Sequence, residues 1–225
     1  MFIEEKTDDR RPCLALCAPG REFVLKYLER EFNRRITDSP AESDGNGPVF
    51  VIAGVDEKLN AEQEAFIEKA REAGKHIGIV RVPHVIGTGM GDTMMRLARG
   101  VARGTMMKIK GNEARWSVVH AVDIARAAAR ISAVAGGDTP DEYIVSAPPV
   151  PVNDLLEALG VRIKNKRVGY ISPRWAALLY GNTLYKSLTT DFMVDTGKFD
   201  SMFADFVFNN PARYLSTPLY DDESL

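Results

Sequence analysis

The sequence predicts an α/β layered domain built on a mostly parallel sheet. Through the first third of the chain, short apolar runs of strand length alternate with segments of helical spacing. Strands separated by helices pair in parallel through right-handed crossovers. The runs are also nearly continuous in Val and Ile, which suits strands covered on both faces. The 225-residue length suits one domain, residues 1–225, and a hydrophobic content of 45% can supply its core.

The elements follow in order. Residues 1–11 are charged and read as a flexible end. Residues 13–18 (CLALCA) form the first strand, broken by Pro19-Gly20. Val24, Leu25, Leu28 and Phe32 then recur at helical spacing. Residues 38–47 (DSPAESDGNG) are a polar loop, and residues 49–54 (VFVIAG) a second strand. Asn60 caps a helix that runs through Ala73 and stops at Gly74. Residues 76–82 (HIGIVRV) are a third strand. The stretch 81–131 reads as strand end, Gly-rich loop, helix, short strand, polar turn, apolar strand and helix. Residues 141–146 (DEYIVS) make another strand. Asn153 caps a short helix ended by Gly160, and residues 161–170 read as a strand. Apolar, aromatic helices follow near 173–188 and 198–208. Aromatic enrichment beyond Tyr170 marks about 171–225 as a small C-terminal helical lobe on the sheet.

Composition narrows the function. A formal net charge of −2 gives no reason to expect nucleic acid or an acidic membrane surface as partner. No stretch approaches the roughly 20 apolar residues of a membrane span. The acidic start MFIEEKTDDRRP is unlike a signal peptide, so a cytoplasmic protein is expected. Cys13 and Cys17, four apart on one strand, read as reduced thiols. With three scattered histidines they form no metal-ligand spacing. Cys17 lies near a helix start, which favours a thiolate, but no His/Asp arrangement accompanies it.

Residues 81–90 (RVPHVIGTGM) resemble the R-P-x-N-V-Y-G-P-G segment of the NAD-dependent epimerase/dehydratase family. These are extended short-chain dehydrogenases/reductases that act mainly on nucleotide sugars. Residues 115–125 (RWSVVHAVDIA) resemble its R-x-F-V-H-V-x-D-x-A segment. There His120, Asp123 and Ala125 fall in register and Arg115 stands one residue early. The run 188–203, containing VDTGKFDSMF, resembles the family's closing helix. The likeness covers about residues 61–208. It implies a Rossmann-like three-layer fold, NAD or NADP as cofactor, a nucleotide or nucleotide sugar as ligand, and a homodimer through the helix at 60–73. It also implies that Arg115 grips a diphosphate, a task suited to a planar charged fork. A solvated strand-end arginine is the other reading. His84 stands where the family has a substrate-contacting asparagine. His120 reads as a packed strand residue, and Asp123 as an acceptor of amide hydrogen bonds at a helix start.

Upstream the sequence departs from the pattern. The family carries a Gly-rich fingerprint after its first strand, and a Tyr-x-x-x-Lys pair in which the tyrosine moves a proton and the lysine lowers its pKa. Here Ala18-Pro19-Gly20-Arg21 follows the first strand. Pro19 removes an amide, which leaves Gly20 and Arg21 as a weakened anion site at a helix start. By family spacing, Lys58 falls on the catalytic lysine, and Gly54 stands where the tyrosine belongs. A plain surface lysine is the other reading of Lys58. Residues 87–91 (GTGMG) lack the spacing and the acidic partner of a dinucleotide turn. The expectation is an NAD(P)-dependent nucleotide-sugar epimerase or dehydratase with a trimmed, degenerate N-terminal half and a reduced or lost active site. The alternative is a non-catalytic nucleotide or nucleotide-sugar binder, or a regulatory partner of a full-length paralogue.

Overall fold

The computed structural model describes residues 13–17, 24–32, 36–37, 49–87, 92–134, 141–164 and 167–216. Its first part runs β1 (Cys13–Cys17), α1 (Leu25–Phe32), β2 (Ile36–Thr37), β3 (Val49–Gly54), α2 (Ala61–Glu72) and β4 (Ile77–Val82). Then come β5 (His84–Ile86), α3 (Asp92–Arg103), β6 (Lys108–Ile109), β7 (Arg115–Trp116), β8 (Val118–His120) and α4 (Ala121–Val134). The last part holds β9 (Asp141–Ile144), β10 (Val150–Pro151), α5 (Val152–Lys164), β11 (Tyr170–Ile171), α6 (Pro173–Thr189), α7 (Gly197–Met202) and α8 (Pro211–Ser216).

The main sheet has the order β2-β1-β3-β4-β9, and every pair in it is parallel. The order reverses between β1 and β3. In doubly wound sheets, ligands bind in the crevice outside the carboxyl ends of the strands at such a switch point. On one face, Phe66, Ile67 and Ala70 of α2 bury against Val49, Val51, Ile77 and Ile79. On the other, Leu28 of α1 and Ile124, Ala128 and Ile131 of α4 cover Phe50, Ile52, Val80 and Val82. Burying each large side chain contributes about 1.5–3 kcal/mol, so the two covered faces fix the three-layer arrangement. Gly78 lets α4 come close: a Cβ there would sit 3.1 Å from Phe50 Cδ1 and 3.2 Å from Ile131 Cγ2.

Helix α2 begins and ends as its sequence signals. The Asn60 side chain accepts from the Gln63 amide at 2.8 Å, and the Gln63 side chain accepts from the Asn60 amide at 3.0 Å. Gly74 follows at φ 67°, the left-handed conformation that favours glycine.

A second core gathers Met94, Leu97, Ile109, Trp116, Leu155, Leu159, Leu188 and Tyr214, so α3 and α5 join α6 and α8 in the C-terminal lobe. Phe199 is fully buried among Phe203, Phe206 and Phe208, and it meets Tyr143 edge-on at 6.5 Å. These rings moor α7 to the main sheet beside β9.

Several expected elements differ. Gly160 does not end a helix, because α5 continues to Lys164. Leu155, Leu156 and Leu159 keep that helix buried, and tertiary packing overrides the cost of one glycine. Asn153 lies inside α5 rather than at its cap. Its side chain donates to Ile109 O at 2.9 Å and accepts from Ile109 N at 3.0 Å, tying the helix to β6. The strand expected at 161–170 is only β11, and the helix expected over 198–208 closes at Met202. The expected flexible end 1–11 and the polar loop 38–47 lie outside the described residues.

Candidate functional site

At the crevice, β3 ends in Gly54 and a short connection leads to α2. This connection is closed on itself. The Gly54 amide donates to the Glu57 carboxylate at 2.9 Å, and the Glu57 amide donates to Gly54 O at 3.2 Å. The Val55 amide donates to Val82 O at 3.2 Å. Arg81 bolts the turn from the neighbouring strand. Its Nη1 donates to Gly54 O and Glu57 O, and its Nε to Glu142 at 2.9 Å. The first residue of the family-like 81–90 segment thus anchors the connection that leads to α2. Lys58 is exposed on this turn, next to no tyrosine in sequence. Gly20 and Arg21, expected as a weakened anion site, lie outside the described residues, as do residues 88–91 of the glycine loop.

A cleft of about 670 Å³ lies in the C-terminal lobe. Its walls are the turn after β6, the start of β7 and the segment after α6, with Lys110, Asn112, Arg115, Tyr185 and Asp191 among the lining residues. The walls are held together from behind. The Asn112 side chain donates to Leu188 O at 2.9 Å, and the Asp191 carboxylate accepts from the Arg115 amide at 2.8 Å. The segment after α6 then runs beside β7 like an added strand. The Phe192 amide donates to Arg115 O at 2.9 Å, and the Ser117 amide to Phe192 O at 2.7 Å. Arg115 is exposed, and its Nη2 donates to Pro149 O at 2.8 Å. That bond uses one of five N–H donors on the guanidinium, whose fork suits phosphate oxygens.

His84 is set differently. Its ring stacks between Trp116 and Phe192, with centroids at 4.7 and 4.8 Å. Trp116 is buried and Arg115 exposed, as alternation along a strand requires. The structure therefore brings His84 and Arg115 to the same lobe, on opposite faces of β7. His120 is buried, and its Nδ1 accepts from the Val122 amide at 3.1 Å while the ring packs on Tyr214 at 3.5 Å. Asp123 accepts amide hydrogen bonds as its place at a helix start suggested, but from the other end of the chain: from Asn209 N at 2.9 Å and Asn209 Nδ2 at 2.8 Å. Sequence reading did not find Asp191, Asn112 or Phe192. Each works through a partner at least 75 residues away in the chain, 76 for the two polar ones, and no local pattern encodes that. Among the described residues, no His, Cys, Asp and Glu cluster could hold a metal ion.

No protein-family model matches this sequence, and no curated protein sequence matches it. Solved structures do match the fold. UDP-N-acetylglucosamine 4-epimerase from Bacillus cereus matches with a TM-score of 0.57 at 12% identity, over 91% of this chain and 97% of that one. RMD from Pseudomonas aeruginosa, complexed with NADPH, matches at 0.59 and 11%, over 94% and 98%. A GDP-L-fucose synthetase from Naegleria fowleri, bound to NADP, matches at 0.59 and 7%, over 92% of each chain. The chain has the Rossmann-like fold of these structures, as the 81–90 and 115–125 segments led us to expect.

Proposed function

We propose that this chain binds a nucleotide or nucleotide sugar on an epimerase/dehydratase fold whose oxidoreductase centre has been reduced. The observation that carries this is the closed turn from Gly54 to Asn60. Proton transfer beside a nicotinamide needs a tyrosine held by a lysine. Here Gly54 stands at the tyrosine position, Lys58 is exposed, and Arg81 ties the turn down. These residues do not fit a hydride-transfer site, and no step through NAD or NADP is derived for them. The cleft at Arg115 supports the binding half of the reading, since it offers an arginine fork and Lys110 to anionic oxygens beside the hydroxyl of Tyr185.

Two experiments test the two halves. Purified protein mixed with NAD or NADP and a panel of UDP- and GDP-sugars should form no new sugar by chromatography, and with NADH or NADPH it should show no change in nicotinamide absorbance. Turnover with any of them overturns the reduced-centre reading. In titration calorimetry, UDP or a UDP-sugar should bind, and Arg115→Ala should weaken that binding by about tenfold or more, the scale of charge-assisted hydrogen bonds. Arg115→Lys should recover only part of the loss, because an ammonium cannot reproduce the fork. Unchanged affinity in Arg115→Ala removes this residue from the site.

The dimer expectation concerns helix α2. The outward face of α2 carries Glu62, Glu64, Glu68, Lys69, Arg71 and Glu72, so pairing through it would be polar and salt-sensitive. Its apolar residues are already spent on the chain's own sheet.

A further inference from the structure

We infer that α6 and its basic surroundings are a docking surface for an anionic lipid bilayer. The first two turns of α6 expose Trp175 (65%), Leu178 (74%) and Leu179 (54%). Positions i, i+3 and i+4 share one face of a helix, so these three form a single apolar stripe. Ala176 is fully buried on the inner side of these turns, which fixes the stripe outward, and Gly181 at φ 72° kinks α6 before its second half. Tyr170, on the strand just before α6, is also exposed.

Charge says what covers this face. Between Glu157 and Asp191 the chain has no acidic residue, while Arg167 and Lys186 flank the stripe in sequence and Arg174 adjoins it; Arg162, also basic, turns its guanidinium over the Tyr214 ring instead. Arg167, Arg174 and Lys186 are exposed. The net charge of −2, which gave no reason to expect an acidic membrane surface, is an average over a segregated distribution. Lys108 adds nothing to the patch, because its ammonium pairs with Glu157 at 2.7 Å. Exposed Trp and Leu beside Arg174, on a helix that carries no acidic residue, suit contact with an anionic lipid interface. Each basic residue near an anionic leaflet adds about a fivefold gain in binding. A second copy of this chain fits worse. A two-fold interface would set the basic stretch against itself. Among the described residues no helix is long and apolar enough to cross a membrane, so the contact is peripheral. Helix α6 also borders the cleft through Pro173, Tyr185 and Thr189, which would hold the cleft close to the lipid surface.

The test is flotation with vesicles of phosphatidylcholine alone and of phosphatidylcholine with phosphatidylglycerol in equal parts. The wild type should float with the anionic vesicles only, and high salt should release it. Leu178→Glu should cut the bound fraction by about tenfold or more, since it removes one buried leucine and adds a like charge. The double variant Arg174→Gln/Lys186→Gln changes charge without touching the stripe, and it should lower binding by more than tenfold on the same scale. Trp fluorescence should shift to the blue on anionic vesicles in the wild type and not in Trp175→Phe. Circular dichroism melts establish that each variant is folded. No flotation with anionic vesicles overturns the proposal, and so does wild-type flotation by both charge and leucine variants. Sedimentation showing a dimer that Leu178→Glu dissolves, in a protein that ignores vesicles, overturns it in favour of a second copy.

Discussion

Asp123→Ala is expected to lower the unfolding free energy by about 3 kcal/mol, as measured by urea denaturation. Asp123 is fully buried, and it is the point where the C-terminal segment is tied to the main fold. One oxygen accepts from Asn209 N, and the other from Asn209 Nδ2 and from Arg126 Nη1 at 2.9 Å. Arg126 also donates to Val207 O at 3.1 Å, so the ion pair spans the same junction. Removing the carboxylate strands an amide, a carboxamide and half of a guanidinium contact, and unsatisfied buried donors cost more than a well-made bond contributes. The Phe199 cluster sits on the same junction and should keep the segment docked, so a folded but weakened protein is expected. Asn209→Ala should reproduce part of the loss, and the double variant should be less than additive because the two residues share their bonds.

The same residue predicts a pH dependence. Burial pushes the Asp123 carboxyl above the usual carboxylate value, opposed by Asn209 and Arg126. A carboxyl with a raised folded pKa contributes its full stability below the unfolded pKa, and that contribution declines as pH rises through the raised value. The gap in stability between the wild type and Asp123→Ala should therefore narrow as pH climbs out of the ordinary carboxylate range. A gap that widens over that interval would show that the three donors outweigh burial.

Periodicity and capping made the three-layer half of the fold legible. The boundaries of β3 and of α2 with its cap at Asn60 follow from residues within a few positions of one another. The C-terminal lobe was less legible because distant partners set its elements. Gly160 continues a helix since α5 is buried, and Asn153 spends its side chain on β6. Of the candidate site, Arg115 and His84 could be picked out from the segments that resemble the epimerase/dehydratase family. That they lie on opposite faces of β7 could not, because it depends on which neighbour of Arg115 is buried. Likewise Gly54 could be seen at the tyrosine position, but Arg81, which ties its turn down, reaches it from the next strand.

Trp116→Ala is expected to destabilise the protein by about 4 kcal/mol, the scale of emptying a buried aromatic site. Trp116 is 1% exposed and sits in the second core. Its indole N–H donates to Thr190 O at 3.3 Å, and its ring supports His84, which in turn stacks on Phe192. Those two contacts press the segment after α6 against β7, and that segment forms one wall of the cleft. Trp116→Ala should therefore weaken UDP or UDP-sugar binding even well below its own melting temperature, although Trp116 itself does not line the cleft. Trp116→Phe separates the two roles. A phenyl ring refills most of the cavity and keeps the stack with His84, so most stability should return. The bond to Thr190 O does not, so any part of the affinity that depends on that bond stays lost. If Trp116→Ala binds the ligand as well as the wild type does, the wall is held by the backbone bonds of Phe192 and the side-chain bonds of Asn112 and Asp191. The cleft would then be a property of the strand pairing at Arg115 and Ser117 and not of the core beneath it.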